Sequence, residues 1–459
     1  MNESKTPLVT VYITNHNYGR YLDQAIRSVL AQSMQDFELL IIDDGSTDNS
    51  REIIEKYRDL PQVITIYQKN QGLCVTNNIA LRAARGKYIM RLDADDFLDE
   101  NALTILSSNL ERNEDLGFVF PDYYVVDESG NLIEVVRRHN FNNVSLLDQP
   151  AHGACTMIRK KCLEELGGYD ESLRCQDGYD LWIRFIRQYS VQNVNLPLFY
   201  YRQHTKNLTK DEAKILNTRS KILEKHAKKN GSKLTALAVI PVRGDFADPG
   251  SLALRPLAGK PLIEWTIDVA LAAKRIGQVI VTTPDPYIIE HLDRIYGARI
   301  FVVKRDKSLA LYNTYIEDTI LHALRMVETK FSLPDVITLL YIESPFRAAE
   351  QIDNAIDLLE IFETDTVIGV RPERSVLYRH NGGSLEPMAN FGRLRLEREE
   401  IFKAAGQLCV VRRDYLEKHH RVIGGRIGHI VLDPQASVSV TSKWDWEIAE
   451  MVVRSTTIK

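Results

Sequence analysis

The sequence predicts two Rossmann-like α/β domains in tandem, each a mostly parallel sheet covered by helices. Three observations predict it. Apolar runs of strand length alternate with stretches of helical spacing from about residue 8 onward. Two acidic clusters, Asp43-Asp44-Gly45-Ser46-Thr47-Asp48 and Asp93-Ala94-Asp95-Asp96, each directly follow such a run. The same order of strand, glycine-containing loop and helix then starts afresh at Leu234, after a polar, lysine-rich stretch.

The elements follow in order. Leu8 to Thr14 reads as a strand. Leu22, Ala25, Ile26, Val29 and Leu30 then recur at helical spacing with polar residues between them. A strand over Leu39–Ile42 leads to a helix from about Asn49 to Arg58. Val63–Tyr67, Val75–Ala84 and Tyr88–Leu92 continue as strand, helix and strand, an alternation that marks a sheet with helices on its faces. The pattern runs less regularly to about Tyr201. Residues 207–230 read as one long polar helix, and Lys228-Lys229-Asn230-Gly231-Ser232-Lys233 as a linker. A second strand–helix–strand run follows: Leu237–Ile240, about Leu262–Ala273, and Val279–Thr283. The expected division is therefore 1–206, a helix and linker over 207–233, and 234–459, with the boundary near Gly231.

Composition excludes several classes. The chain has 459 residues, enough for two or three cores, and is 44% hydrophobic and 26% charged, as soluble globular proteins are. A net charge of -4 gives no electrostatic reason to expect nucleic acid or a basic membrane patch. The five cysteines form no C-x-x-C pair and read as reduced thiols of a cytoplasmic protein. Met1-Asn2-Glu3-Ser4-Lys5 leads straight into a strand without a signal peptide, and no run approaches the ~20 apolar residues of a membrane span. Peripheral attachment at the inner membrane face stays open.

Carboxylates at the carboxyl ends of strands lie where open α/β sheets bind ligands. A nucleoside diphosphate would not sit among bare carboxylates, and a bridging Mg2+ or Mn2+, which prefers oxygen ligands, resolves the conflict. Asp93 and Asp95 can point into one site. Asp96 either joins them or caps a following helix. Asp44 would accept a hydrogen bond from the base or ribose. Read alone, Asp-Gly-Ser-Thr-Asp is equally a turn and helix cap.

Around Val9–Tyr18, Ser28-Val29-Leu30-Ala31-Gln32-Ser33 and the two acidic clusters, the chain resembles family-2 glycosyltransferases of the GT-A fold. Gly167-Gly168-Tyr169-Asp170, Gln176-Asp177-Gly178-Tyr179-Asp180-Leu181-Trp182 and Tyr200-Tyr201-Arg202-Gln203-His204 extend the resemblance in the family's order over roughly residues 7–210. The resemblance implies roles. Thr14, His16, Asp44 and Asp93 would hold the nucleotide; an aromatic ring often stands where this chain has His16, and imidazole can stack likewise. Asp93 and Asp95 match the D-x-D metal motif, and His204 a late histidine that completes the metal site. Asp177 matches the general base of inverting members. The chain has Gln176 where the family shows glutamate, and one extra glycine before Tyr179, which leaves Asp177 and Asp180 both open as the base; Asp180 is expected to start the helix leading to Trp182. The implied donor is a nucleotide sugar, most commonly UDP-linked. The implied acceptor is a glycan, glycolipid or glycoprotein, with Val144–Thr156 lining its side, in a setting such as bacterial surface polysaccharide synthesis.

In the second half, Val239-Ile240-Pro241-Val242-Arg243-Gly244 followed by Arg255-Pro256-Leu257-Ala258-Gly259-Lys260-Pro261-Leu262-Ile263 resembles cytidylyltransferases of the CMP-sialic acid synthetase type. Val279–Thr283, Ser344-Pro345-Phe346-Arg347 and Ser437–Glu450 extend this over about residues 235–455. The departures are informative. Where that family has a lysine-bearing phosphate loop, this chain has Asp245-Phe246-Ala247-Asp248-Pro249-Gly250-Ser251-Leu252-Ala253-Leu254, whose two negative charges would repel a triphosphate. The family's Asp-x-Asp metal pair aligns with Ser439-Val440-Thr441, and a site glutamine with Tyr341. The expectation is a cytidylyltransferase fold without synthetase activity. The family's usual role for an insertion like Arg371–Ile401, with Arg371, Arg374, Arg393, Arg395 and Arg398, implies a homodimer; a retained ligand pocket is the alternative role. The competing readings are a bifunctional enzyme that makes and transfers a CMP-sugar, and a non-catalytic sugar-nucleotide-binding scaffold.

Overall fold

The structure is a computed structural model and describes residues 6–137, 150–205, 211–229, 231, 234–245, 247–248, 250–373, 375, 377–388 and 401–457. The chain forms two compact units, Met1–Thr218 with Val376–Glu399, and Arg219–Ser375 with Glu400–Lys459.

In the first unit the elements are β1 (Val9–Asn15), α1 (Gly19–Leu30), β2 (Phe37–Asp44), α2 (Ser50–Glu55), β3 (Val63–Gln68), α3 (Leu73–Ala83), β4 (Tyr88–Asp93), β5 (Phe97–Leu98), α4 (Ala102–Arg112), β6 (Leu116–Val126), β7 (Leu132–Val136), β8 (Met157–Arg159), α5 (Lys160–Glu165), α6 (Asp177–Phe185) and β9 (Ser190–Arg202); α7 (Glu212–Lys229) follows. Among the described residues the sheet runs β3-β2-β1-β4-β8-β6-β9-β5, with β7 against β6. Strands β3, β2, β1 and β4 are mutually parallel; β8 turns the sheet antiparallel.

Side-chain alternation explains why this sheet is covered twice. Val9, Val11, Ile13, Leu39 and Ile41 share one core with Leu22, Ala25, Ile26 and Val29 of α1. Tyr12, Leu40 and Ile42 face the other core, with Ala80 and Leu81 of α3 and Trp182 and Phe185 of α6. Burying each large apolar side chain is worth about 1.5–3 kcal/mol, so a one-residue slip of β1 would exchange both sets and is strongly disfavoured.

Two expectations are corrected. Helix α6 begins at Asp177, not Asp180, because Gln176 takes a left-handed conformation (φ 59°) and its carbonyl already accepts from Tyr179 and Asp180 N–H. Asp96 caps no helix: it precedes β5, and its Oδ1 accepts from the backbone N–H of Arg202 at 2.9 Å.

The second unit contains β10 (Ala236–Pro241), β11 (Pro256–Leu257), β12 (Lys260–Pro261), α8 (Leu262–Ala272), β13 (Ile276–Thr283), α9 (Pro286–Ile295), β14 (Phe301–Lys304), α10 (Ile316–Val327), β15 (Val336–Leu340), α11 (Ala349–Ile361), β16 (Thr366–Glu373), β19 (Ile401–Arg412), α12 (Arg413–His419), β20 (Ile427–Val431) and α13 (Lys443–Thr457). The short hairpin of β17 (Tyr378–His380) and β18 (Leu385–Pro387) interrupts it in sequence. Its sheet runs β14-β13-β10-β15-β19-β16-β20 among the described residues, with β14, β13, β10 and β15 parallel and β19 antiparallel to both neighbours. Leu237, Val239, Ile280 and Val303 pack on Ile320, Ala323, Leu324 and Val327 of α10. No helix among the described residues is long and apolar enough to cross a membrane.

Candidate active site

Strand register assembles the site. Thr14 pairs with Ile42 on one side and with Asp93 on the other, so the carboxyl ends of β2, β1 and β4 lie side by side. Strand order reverses between β1 and β4, the place where open sheets hold ligands. The Thr14 hydroxyl donates to Asp93 Oδ1 at 3.4 Å.

The three acids of the first cluster do different work. Asp43 accepts from Asn15 Nδ2 (2.8 Å) and the Ser46 hydroxyl (2.5 Å), which closes the turn. Asp48 accepts from the backbone of Ser50 (3.0 Å) and Gly19 (2.9 Å), tying the starts of α2 and α1 together. Asp44 accepts from Gln68 Nε2 (2.7 Å) and from the N–H groups of Gln71 (2.8 Å) and Gly72 (2.9 Å), and so shapes the loop into α3. His16 is exposed at the crevice rim. Its Nδ1 donates to the Asp44 carbonyl (2.8 Å), which leaves Nε2 to accept from Asn17 (3.2 Å) and Asn70 (3.1 Å).

The second cluster is crowded with negative charge. Burial pushes the Asp93 carboxyl up despite Arg91, with repulsion from Asp95 adding to it; Asp96 is pushed well up by burial and then by Asp95. His204 Nε2 lies 2.9 Å from Asp95 Oδ2, buried between the rings of Tyr18 and Tyr21. Burial and the charges of Asp95 and Asp93 push the Tyr18 phenol up. Among the described residues no three His, Cys, Asp or Glu side chains are arranged to hold a metal ion on their own. The chemistry of the acidic strand end would fit instead a hard divalent cation bound by one or two carboxylates, for which Asp93 and Asp95 are the candidates.

Asp177, at the start of α6, is buried. Its Oδ2 accepts from Arg91 Nη1 (2.7 Å) and Asn77 Nδ2 (3.0 Å), and its Oδ1 takes no hydrogen bond from a described residue. Asp180 is fully buried and bonded to Arg184 Nε (2.9 Å) within the same helix. Arg91 is the residue the sequence reading passed over. Its Nε lies 3.0 Å from Asp93 Oδ1, though not in hydrogen-bonding geometry, and its Nη2 donates to Asp93 Oδ2 at 3.4 Å. Arg91 therefore joins the carboxylates of Asp93 and Asp177. The signal was present: a lone arginine in the apolar run Tyr88–Leu92 is a buried charge, which needs paired carboxylates.

In the stretch 144–156 expected to line the acceptor, His152 sits among Tyr123, Phe199 and Tyr201, and its Nδ1 accepts from the Ala154 N–H at 3.1 Å. Residues 144–149 of that stretch lie outside the described residues.

In the second unit, Ser439 and Thr441 have local partners. Gln407 Nε2 donates to the Ser439 hydroxyl at 3.1 Å, and the Thr441 hydroxyl and N–H both donate to Asp445 Oδ2 (2.8 and 3.0 Å) at the start of α13. Tyr341 is half-buried, its phenol pushed up to about 12 by burial. Asp248 accepts from the Gly250 N–H at 3.1 Å; Phe246 and Pro249 of that loop lie outside the described residues, as do Arg374, Arg393, Arg395 and Arg398. Arg371 donates to the Leu432 carbonyl at 2.7 Å.

Acidic strand ends beside a strand-order reversal place the chain among α/β proteins, a class whose ligands bind at the carboxyl edge of the sheet. Comparison with known proteins narrows it. Residues 10–167 match Glycosyl transferase family 2, and residues 253–421 match Cytidylyltransferase. An uncharacterized glycosyltransferase of Methanocaldococcus jannaschii is 31% identical over 212 residues, 44% of this chain and 73% of that protein. The chondroitin synthase of Escherichia coli is 31% identical over 195 residues, and the chain spans only 28% of its length. The hyaluronan synthase of Pasteurella multocida is 34% identical over 196 residues, 42% of this chain and 20% of that one. Among solved structures, residues 1–349 of S. aureus TarS in complex with UDP-GlcNAc align at 16% identity and a TM-score of 0.40, covering 48% of this chain and 66% of that one. The chain belongs to glycosyl transferase family 2, and its second half carries a cytidylyltransferase domain.

Proposed function

We propose that the chain is a metal-dependent inverting glycosyltransferase. It moves a sugar from a nucleoside-diphosphate sugar, UDP-linked in the reading we favour, to a hydroxyl of a glycan or glycoconjugate. The observation that carries this reading is the pairing of Thr14 with Asp93 at the carboxyl ends of β1 and β4, beside the end of β2 that carries Asp44, with the Asp177 carboxylate joined to Asp93 through a single guanidinium. Relatives named chondroitin synthase and hyaluronan synthase support a glycan product.

Thr14, His16 and Asp44 hold the base and ribose. Asp93 and Asp95, with His204 behind Asp95, would hold Mg2+ or Mn2+, which supplies positive charge for the departing diphosphate. Asp177 Oδ1 takes the proton of the acceptor hydroxyl as its oxygen bonds to the anomeric carbon and the bond to the diphosphate oxygen breaks, inverting the configuration. Asp177 suits this better than Asp180, whose carboxylate is buried against Arg184. The second half serves dimerisation or ligand binding. Asp177→Asn and Asp95→Ala should each lower release of the leaving nucleotide from the preferred donor by about 10²–10⁴-fold, measured against wild type as nucleoside diphosphate from UDP-, GDP- and dTDP-sugars and as CMP from CMP-sugars. Wild-type turnover in both variants would sink the assignment.

A further inference from the structure

We infer that Arg91 is a positioning residue that aims the Asp177 carboxylate, and that Gly153 is glycine to make room for it. The inference rests on Asp177 being the base. Arg91 and Asp93 are two apart on β4 and face the same way, so the guanidinium is anchored on Asp93 and reaches Asp177, 86 positions further along the chain. With Asn77 it occupies Oδ2 of Asp177 and leaves Oδ1 for the proton. A second element closes on the guanidinium from the acceptor side. The Cys155 N–H donates to the Arg91 carbonyl at 2.8 Å, which brings Gly153 against the side chain. A Cβ at Gly153 would overlap Nη2 and stand 2.9 Å from Cζ. A side chain there forces either the fork or the 153 backbone to shift, which disturbs the seat that holds the fork on Asp177. A lysine at position 91 would keep the charge but lose the two-pronged geometry.

The role predicts a particular pattern of kinetics. Misplacing a reacting group by about 1 Å costs on the order of 10²-fold in rate without removing binding contacts. Arg91→Lys should therefore lower kcat about 100-fold while the donor KM, and UDP affinity measured by calorimetry, stay within about threefold of wild type. Gly153→Ala should lower kcat in the same direction by a smaller factor. Because both act through Asp177, neither should lower the residual rate of Asp177→Asn any further. Thermal melts of every variant check folding, and Gly153→Ala carries the test if Arg91→Lys does not fold. Losses that appear in KM alone, or that multiply with Asp177→Asn, overturn the inference. A wild-type chain that turns over donor while Arg91→Lys matches its kcat overturns it too, with the transferase left standing. A wild-type chain that consumes no donor removes the transferase reading itself, and this inference with it.

Discussion

At the scale of single residues, long-range partners set the chemistry. Asp357 on α11 is buried beside Arg275, which also pairs with Glu360 at 2.8 Å. Burial pushes the Asp357 carboxyl up to about 6, more than Arg275 draws it down, and Asp353 and Glu360 add to the rise. Between its ordinary value of 3.8 and about 6 the folded chain keeps a proton that the unfolded chain releases, so this residue's contribution to stability falls as pH rises through that window. Melting temperatures from pH 4 to 6.5 should decline more steeply for wild type than for Asp357→Asn; parallel curves would contradict this. The acids of the crevice were legible because their strand-end positions follow from the local pattern. The joint roles of Arg91 and Asn77 were not, because they are fixed by contacts with a residue 86 and 100 positions away. Asp44 is a mixed case. The sequence marks it as a nucleotide contact, while its hydrogen bonds to Gln68, Gln71 and Gly72 depend on how the chain returns after β3.

At the scale of elements, the apolar pattern was a sufficient guide in β1, α1 and β2: buried positions recur at helical spacing in α1, and β1 and β2 are buried along almost their whole length, as their unbroken apolar runs require. It failed at α6, whose start is set by the backbone conformation of Gln176 and not by a side-chain cap. The hairpin of β17 and β18 lies in the stretch assigned to dimer contacts. Tyr378, Leu385 and Met388 are 57%, 64% and 62% exposed there. An isolated two-stranded hairpin is marginal in water, and apolar side chains clustered on one gain most from being covered. If a second copy of the chain covers it, light scattering should give twice the chain mass for wild type. Tyr378→Ser combined with Leu385→Ser and Met388→Ser should give a monomer with an unchanged core melt. A wild-type monomer at tens of micromolar would remove the dimer.

At the scale of the whole molecule, two α/β units share an architecture and differ in the charges at their strand ends. The first keeps Asp93 and Asp177 on one buried guanidinium, with Asp95 held beside His204. In the second, Ser439 and Thr441 stand where the resembling family has two carboxylates, and both hydroxyls are engaged, with Gln407 and with Asp445 at the start of α13. Neutral hydroxyls tied into local hydrogen bonds make poor ligands for Mg2+, which favours carboxylates and phosphate oxygens. Asp245 and Asp248 add negative charge where a triphosphate would approach. Positive charge persists nearby: Arg305 is buried, brought down to about 10 by burial and by Arg243, so anion binding and catalysis can part company in this unit. The full chain given CTP, Mg2+ and a panel of nonulosonic acids should therefore release no pyrophosphate above a no-enzyme control, even where calorimetry detects nucleotide bound. Restoring carboxylates alone, with Ser439→Asp and Thr441→Asp, should not recover the reaction, because the lysines of the phosphate loop are missing as well. Pyrophosphate release by the wild-type chain would show that the second unit is a working synthetase and would favour a bifunctional enzyme.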